Sequence, residues 1–262
     1  MNILETIIAK KKIEVEERKR SKTIAELGNG PFFKNKVIDF KKYLSREDKT
    51  GIIAEFKRRS PSKGVINNSA AVTEVTIAYA KYGASGISIL TDEEFFGGSL
   101  NDLLDSTINE VPLLRKDFII DEYQLIESKA FGAEVILLIA ACLKKNEVKD
   151  LATSAKNIGL NVLLEIHNEE ELEHICDEVD VVGVNNRDLK TFTVDINRSI
   201  QLGEKLPADK IKISESGIEN VSTIKLLKKH GFRGFLMGEK FMKEKDPGEA
   251  FRMFTEELKR AE

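Results

Sequence analysis

A carboxylate and an ammonium group lie two residues apart at the end of an apolar, β-branched run. Glu55 and Lys57 follow Ile52 and Ile53, and alternate residues of a β-strand point to the same face. Both charges are therefore predicted to share one face of a buried strand, where an unpaired charge is costly. Because residues 60–64 are rich in hydroxyl and backbone donors, we predict an active site that handles an anion.

Polar side chains recur at the ends of other apolar runs. A single lysine or glutamate there is more often an exposed cap or a salt-bridge partner. Here, ammonium, carboxylate and amide groups recur at the same end of separate candidate strands, and barrel enzymes carry their active sites at that end. The candidates for acid–base chemistry and its support are Lys116, Glu165, Lys57, Glu55, Asn185, Arg187 and Glu215.

A regular alternation of elements from residue 51 onward would bring these ends together. Short β-rich runs alternate with longer stretches of helical periodicity, several of which stop at a glycine. Eight such repeats predict an α/β fold, a closed (β/α)8 TIM barrel. A doubly wound open sheet is the alternative, but its glycine-rich turn after the first strand is missing. The candidate strands are 52–57, 86–90, 112–116, 134–139, 161–166, 179–185, 210–215 and 234–238.

The segment before the barrel is predicted to be helical. Residues 1–20 are amphipathic, and 21–50 are predicted to form a connector with one short helix. We expect one barrel domain over 1–262, with 1–50 as an N-terminal helical extension packed on it. A membrane-surface helix is the alternative, which the interspersed acidic residues disfavour. The side predicted to pack carries Ile3, Leu4, Ile7, Ile8 and Val15, with Lys10, Lys11 and Lys12 mostly elsewhere.

Composition excludes several classes of protein. The chain has 262 residues and a net charge of −3, without the basic excess of a nucleic-acid binder. No apolar run is long enough to span a membrane, and the start lacks a signal-peptide pattern. Cys142 and Cys176 make neither a disulfide framework nor a zinc site, so we expect a cytoplasmic protein. Of the scattered histidines, His167 is expected to face away from Glu165 and to be structural.

Three loops could capture a phosphate group. Hydroxyls follow the first candidate strand, and backbone amides follow the seventh and eighth, where many barrels bind phosphate. The carboxylate of Glu239 would repel phosphate, so we expect its side chain to point away while its amide contributes. For Gly217 and Gly238 alone, a tight turn is the alternative. The phosphate candidates are Ser60, Ser216, Gly217, Gly238 and Glu239.

Six ordered segments resemble the indole-3-glycerol phosphate synthase family, and the resemblance runs nearly end to end. It implies conversion of 1-(2-carboxyphenylamino)-1-deoxyribulose 5-phosphate to indole-3-glycerol phosphate, with release of CO2 and water, in tryptophan biosynthesis. It also implies that no metal ion or organic cofactor takes part. Some relatives carry Ser where this chain has Glu239, which puts a side-chain phosphate contact in doubt. The segments are 52–64, 88–99, 113–124, 163–172, 183–189 and 214–218.

The resemblance also implies residue roles. Lys116 would be the acid of ring closure, with a pKa lowered by the charge of Lys57 or by partial burial. Lys57 would pair with the anthranilate carboxylate, and Glu165 would be the base of the dehydration, with Glu55 and Lys57 as rivals for parts of that step. Glu215 would position a lysine or a substrate hydroxyl. Asn185 and Arg187 would orient substrate hydroxyls and Glu165, and the ring pocket would contain Phe96, Phe118, Leu137 and Leu189.

Two other functions are weighed against this one. A phosphoribosylanthranilate isomerase-like barrel would need a cysteine and an aspartate at strand ends, whereas the first strand ends in Glu55 and Lys57. A non-catalytic barrel that binds a phosphate ligand would have no reason to keep Lys116 and Glu165. The expected partner is a small phosphorylated substrate, not nucleic acid or membrane. We expect a monomer, with a weak dimer as the alternative, and no fused second enzyme after the eighth strand.

Overall fold

The computed structural model describes residues 3–189 and 191–261, and a closed barrel of eight parallel strands lies at its centre. The strands pair in sequence order, and the eighth pairs with the first, so the barrel is confirmed and the open sheet is wrong. Their bounds are β1 Ile52–Phe56, β2 Gly86–Leu90, β3 Leu113–Lys116, β4 Val135–Ile139, β5 Asn161–Ile166, β6 Val181–Asn185, β7 Ile211–Glu215 and β8 Phe232–Met237.

The strands are apolar on both faces because both are buried. Outward side chains pack under the helices, and inward side chains fill the barrel, which is why the sequence reads as continuous apolar runs. Inward residues alternate as predicted, so that Ile53 precedes Glu55 and Leu114 precedes Lys116 on the same face. The inner cluster contains Ile53, Leu114, Val135, Leu137, Ile139, Leu163, Val181, Ile213 and Leu236.

Helices surround the barrel and join its strands. The connection after β5, where the alternation predicts a helix, contains only a short 3₁₀ segment, Glu170–His174. The connector before the barrel contains two short helices where one was predicted. No helix within 3–189 or 191–261 is long and apolar enough to cross a membrane. The α-helices are α1 Ile3–Ser21, α2 Ile24–Gly28, α3 Phe40–Leu44, α4 Val72–Lys81, α5 Leu100–Asp105, α6 Glu122–Ala130, α7 Lys145–Asn157, α8 Asn197–Gly203, α9 Val221–Lys229, α10 Glu239–Met242 and α11 Pro247–Ala261.

The segment before β1 contacts both ends of the barrel. At the amino-terminal end, Phe40 and Leu44 of α3 join the inner cluster, and the backbone N–H of Phe40 donates to Asn161 Oδ1 at 3.2 Å. At the carboxyl-terminal end, Ile3 and Ile7 of α1 line the cavity that the strand ends surround. Both ends of the barrel interior are therefore covered by residues that precede the first strand.

One lysine of α1 lies on the buried side of the helix, together with Ile7 and Val15. Lys11 is 1% exposed, and its Nζ lies 2.9 Å from Asp92 Oδ2, 2.9 Å from Asp117 Oδ1 and 2.8 Å from Glu14 Oε2. The expectation that Lys11 lies away from the packed side is wrong, because residues four apart share a helix face and Lys11 stands between the buried Ile7 and Val15.

Candidate active site

The carboxyl ends of the strands surround a cavity, here called the central cavity. Its floor is polar and its upper wall is apolar, so it can hold a molecule that has both an aromatic ring and ionised groups. Side chains from separate strand ends meet there, as the alternation of residues within each strand predicts, and side chains of α1 join them. The polar lining is Glu55, Lys57, Ser60, Ser62, Lys116, Glu165, Asn185, Arg187, Glu215, Ser216 and Glu239.

Lys116 lies between two buried carboxyl groups on the floor of the central cavity. Its Nζ donates to Glu165 Oε2 at 3.0 Å and lies 3.9 Å from Glu215 Oε2. Burial alone would lower the pKa of Lys116, but the neighbouring carboxylates outweigh it and raise that pKa. The expectation of a lowered Lys116 pKa is therefore wrong. Lys57, whose charge was expected to lower it, pairs instead with Glu55, with its Nζ 2.8 Å from Glu55 Oε1.

The two carboxyl groups beside Lys116 have opposite pKa shifts. Burial raises the pKa of Glu215 well above its usual range, and the nearby charge of Glu165 raises it further. Burial would raise the pKa of Glu165 as well, but Lys116 and His167 hold it well below its usual range. The two shifts favour the ionised form of Glu165 and the protonated form of Glu215, a split that often marks a base and its helper in an active site.

Two side chains fix the carboxylate of Glu165 at its other oxygen. Asn185 Nδ2 donates to Glu165 Oε1 at 3.1 Å, and His167 Nε2 lies 3.2 Å from the same oxygen. The expectation that His167 faces away is wrong, because residues two apart in an extended chain share a face. Arg187 was also expected to orient Glu165, but its guanidinium faces other groups. Its Nη2 lies 3.6 Å from Glu239 Oε2, and its Nη1 donates to the carbonyl oxygen of Phe192 at 3.4 Å.

Two glycines leave room for the carboxyl groups. A Cβ on Gly183 would lie 2.2 Å from Glu215 Oε1, and a Cβ on Gly238 would lie 2.8 Å from Glu55 Cβ. Sequence analysis missed Gly183 and considered Gly238 as a phosphate residue or as part of a tight turn. The signal for Gly183 was a glycine that interrupts the β-branched run of β6, since such a glycine often marks a close approach by another group.

A second cavity, here called the rim cavity, adjoins the first beside the ends of β7 and β8. Ser216 and Gly217 follow β7 with φ angles of 68° and 74°, a left-handed pair that turns the backbone over this cavity. For a non-glycine residue this conformation costs about 1–2 kcal/mol, and such strain concentrates at functional sites. The cations that line the rim cavity are Lys57, Lys63, Arg187, Lys240 and Lys243.

Glu239 does not point away from the rim cavity. Its Oε1 lies 3.5 Å from Lys63 Nζ and its Oε2 lies 3.6 Å from Arg187 Nη2, so the two cations draw the carboxylate over the site. The expected orientation is therefore wrong. Ser60, in the short hairpin Arg59–Ser60 and Gly64–Val65 that follows β1, lines the central cavity, and its Oγ lies 3.5 Å from Ser62 Oγ.

The apolar wall of the central cavity is formed by two phenylalanines from different loops. The ring centroids of Phe96 and Phe118 are 6.1 Å apart, and Leu189 lines the same space. Leu137 does not line it, since it lies one inward position deeper in the barrel, and Ile139 takes its place. Sequence analysis also left out Ile3, Leu4 and Ile7 of α1, which complete the wall.

Comparison with known families agrees with this geometry. A sequence profile described as indole-3-glycerol phosphate synthase matches residues 4–254. The chain belongs to the indole-3-glycerol phosphate synthase family. Membership makes it a decarboxylating lyase of tryptophan biosynthesis, so neither the isomerase nor the non-catalytic barrel describes it.

Individual relatives of the family cover almost the whole chain. An indole-3-glycerol phosphate synthase of Bacteroides thetaiotaomicron is 48% identical, over 98% of this chain and 99% of its own. One of Campylobacter jejuni is 42% identical, over 95% of this chain and 98% of its own. Among solved structures, tryptophan synthase subunit alpha from Legionella pneumophila superposes with a TM-score of 0.61 at 14% identity, over 85% of this chain and 97% of that one. That likeness concerns the barrel fold alone.

Proposed function

We propose that the central cavity converts 1-(2-carboxyphenylamino)-1-deoxyribulose 5-phosphate to indole-3-glycerol phosphate, with Lys116 as the acid of ring closure. The observation that carries this assignment is the position of Lys116 Nζ, 3.0 Å from Glu165 Oε2 on the floor of a cavity walled by Phe96 and Phe118. As the carboxylated ring carbon attacks the ketone carbon, a carbon–carbon bond forms and the ketone oxygen takes the proton of Lys116.

The following steps use the charged pairs on either side of Lys116. Lys57 pairs with the substrate carboxylate until the bond to CO2 breaks and its electrons return to the ring system. Glu165 then takes a proton from the CH2 group that lies between the nitrogen and the carbon bearing the new hydroxyl. A carbon–carbon double bond forms as the hydroxyl leaves as water with a proton from Lys57. Glu165 suits this role because both of its oxygens are held in place: Lys116 donates to Oε2, and Asn185 donates to Oε1.

The remaining site residues bind and orient the substrate. Phosphate lies in the rim cavity, where Lys63 and other cations supply charge, and Ser216, Gly217, Gly238 and the amide of Glu239 supply hydroxyl and backbone donors. Ser60 supplies a further hydroxyl from the adjoining central cavity. The anthranilate ring lies against Phe96, Phe118 and Leu189. Asn185 holds Glu165, neutral Glu215 positions Lys116, and Arg187 contacts the substrate hydroxyls or the phosphate.

A fluorescence assay for indole-3-glycerol phosphate tests this proposal. We expect turnover by the wild type and a loss of kcat of at least about a hundredfold in Lys116→Met, which removes the acid at nearly constant volume. Lys149→Met, a matched change at an exposed position of α7, is expected to leave the rate unchanged. Wild-type activity in Lys116→Met would contradict the assignment of Lys116 as the acid.

We also propose that the enzyme works in the cytoplasm as a monomer. Cys142 and Cys176 are both free thiols, which suits a reducing compartment. Cell fractionation tests the compartment, and sedimentation equilibrium at micromolar concentration tests the oligomeric state. A dimer under those conditions would contradict the second part.

A further inference from the structure

His167, the residue that follows β5, is held between two carboxylates. Its Nε2 lies 3.2 Å from Glu165 Oε1, and its Nδ1 lies 3.4 Å from Glu171 Oε2. The imidazole is 8% exposed, so it meets these carboxylates with little competition from water. Nothing in the proposed reaction uses this imidazole.

The second carboxylate is fixed by its own turn. Glu171 Oε2 accepts a hydrogen bond from the backbone N–H of His167 at 2.7 Å, and Oε1 accepts one from Asn168 Nδ2 at 2.9 Å. In return, the backbone N–H of Glu171 donates to Asn168 Oδ1 at 3.1 Å. Glu171 therefore cannot follow a movement of the imidazole, and it sets the position of the ring relative to Glu165.

We propose that His167 is a positioning residue, which holds the carboxylate of Glu165 charged and oriented for proton abstraction. This inference rests on the proposed role of Glu165 as base. The arrangement Glu171–His167–Glu165 places an orienting group behind an imidazole, as in catalytic triads, but here the imidazole serves a carboxylate base.

The charges around His167 favour its protonated form. Burial alone would lower the pKa of His167, but its contacts with Glu165 and Glu171 raise it to about 9. From the 3₁₀ segment Ala140–Cys142, the Cys142 thiol also faces this region and stays neutral, since burial raises its pKa. The other charged groups along the cavity that His167 lines are Glu5, Lys12 and Asp188.

Glu165 thus has a different cation at each oxygen. Lys116 donates to Oε2, and His167 approaches Oε1. If Lys116 gives up its proton in ring closure, His167 is the cation that still faces Glu165 and keeps it anionic for the later step. Removal of the imidazolium should therefore raise the pKa of Glu165 and misalign it, without weakening substrate binding at the rim cavity.

The test compares His167→Gln with the matched change His174→Gln, by measuring kcat and KM from pH 3 to 9. His174 is the last residue of the 3₁₀ segment Glu170–His174. Its Nε2 lies 3.1 Å from the carbonyl oxygen of Leu143. In His167→Gln we expect kcat to fall by about tenfold or more, KM to change less than about threefold, and the acid limb of the pH profile to move up by about one unit. His174→Gln should keep the wild-type profile.

Glu171→Gln gives a second measurement, should His167→Gln fold poorly. It removes the charge behind the imidazole, and we expect the acid limb to move in the same direction by a smaller amount. An acid limb that stays at the wild-type pH in folded His167→Gln or Glu171→Gln would overturn the inference, even if kcat falls. Failure of the wild type to turn over would instead reject the proposed function, so the two failures are distinguishable.

Discussion

The ammonium group of Lys11 lies 2.9 Å from Asp117 Oδ1, and Asp117 directly follows the proposed acid, Lys116. The other oxygen of Asp117 accepts a hydrogen bond from Arg115 at 2.9 Å, so the residues on both sides of Lys116 belong to one buried charge network. The same ammonium lies 2.9 Å from Asp92 Oδ2, and Asp92 Oδ1 accepts from the backbone N–H groups of the loop that carries Phe96. One side chain of α1 thus ties together the strand end and the loop of the site.

Replacing Lys11 by Met should destabilise the protein strongly. Asp92 and Asp117 would be left buried with fewer positive partners, and breaking a buried ion pair from one side costs about 3–5 kcal/mol. Lys10→Met is the control, because Lys10 is exposed and its pair with Glu94 spans 3.6 Å at the surface. Free energies of unfolding from urea titrations measure both variants, and equal losses would contradict the role given to Lys11.

The stability that Asp117 provides should depend on pH. Burial alone would raise the pKa of Asp117, but Lys11 and Arg115 hold it well below its usual range. A lowered pKa contributes stability above the unfolded value of about 4, and this stability is lost as the pH falls below it. Asp117→Asn should therefore be less stable than the wild type at pH 7, and the difference should narrow below about pH 4. A difference in unfolding free energy that stays constant from pH 7 to pH 3 would contradict this account.

Gly183→Ala should impair catalysis more than binding. The added Cβ would lie 2.2 Å from Glu215 Oε1, so the carboxyl group must move from its place beside Lys116. We expect kcat to fall about tenfold to a hundredfold, with little change in KM, since small misplacements of catalytic groups cost about that much. Gly28→Ala is the control, because nothing lies within 4 Å of the new Cβ there. Steady-state kinetics should give the wild-type kcat and KM for this variant.

Two substitutions at Ser216 should distinguish the effect of its hydroxyl from the effect of its left-handed backbone. Ser216→Ala and Ser216→Gly both remove the hydroxyl, whereas only glycine adopts the φ angle of 68° without strain. If the hydroxyl binds phosphate, both variants should raise KM several-fold and leave kcat nearly unchanged. A turnover defect without a change in KM would count against the phosphate role.

Glu239→Gln should strengthen phosphate binding. The carboxylate lies 3.5 Å from Lys63 and 3.6 Å from Arg187, and it competes there with any other anion. Removing one exposed like charge changes affinity by roughly 1 kcal/mol, or about fivefold. Competitive inhibition by inorganic phosphate measures the effect, with the exposed Glu244→Gln as control. Weaker inhibition in Glu239→Gln would mean that this side chain helps phosphate binding.

The barrel and most of its polar floor could be predicted because both follow from local periodicity. Continuous apolar runs of five or six residues predict strands that are buried on both faces. Alternation within a strand then predicts that Lys116 points inward with Leu114, and Glu165 with Leu163, as they do in the structure.

The features that sequence analysis missed depend on residues far apart in the chain. Lys11 has no local signal for burial, because its partners Asp92 and Asp117 come from two later loops. The direction of Glu239 depends on Lys63, which lies on the opposite side of the barrel seam between β1 and β8. For Leu137 and Ile139, alternation gives the face but not the depth, so it could not decide which one reaches the cavity.

The segment before β1 can complete its packing only late in synthesis. Phe40 packs inside a barrel that closes only when β8 pairs with β1, and β8 begins at Phe232. During synthesis, Phe40 and Leu44 of α3 therefore wait for almost the whole chain before the barrel closes around them, and contacts of such long sequence separation form slowly. Residues 40–44 should accordingly be among the last parts of a nascent chain to resist proteolysis.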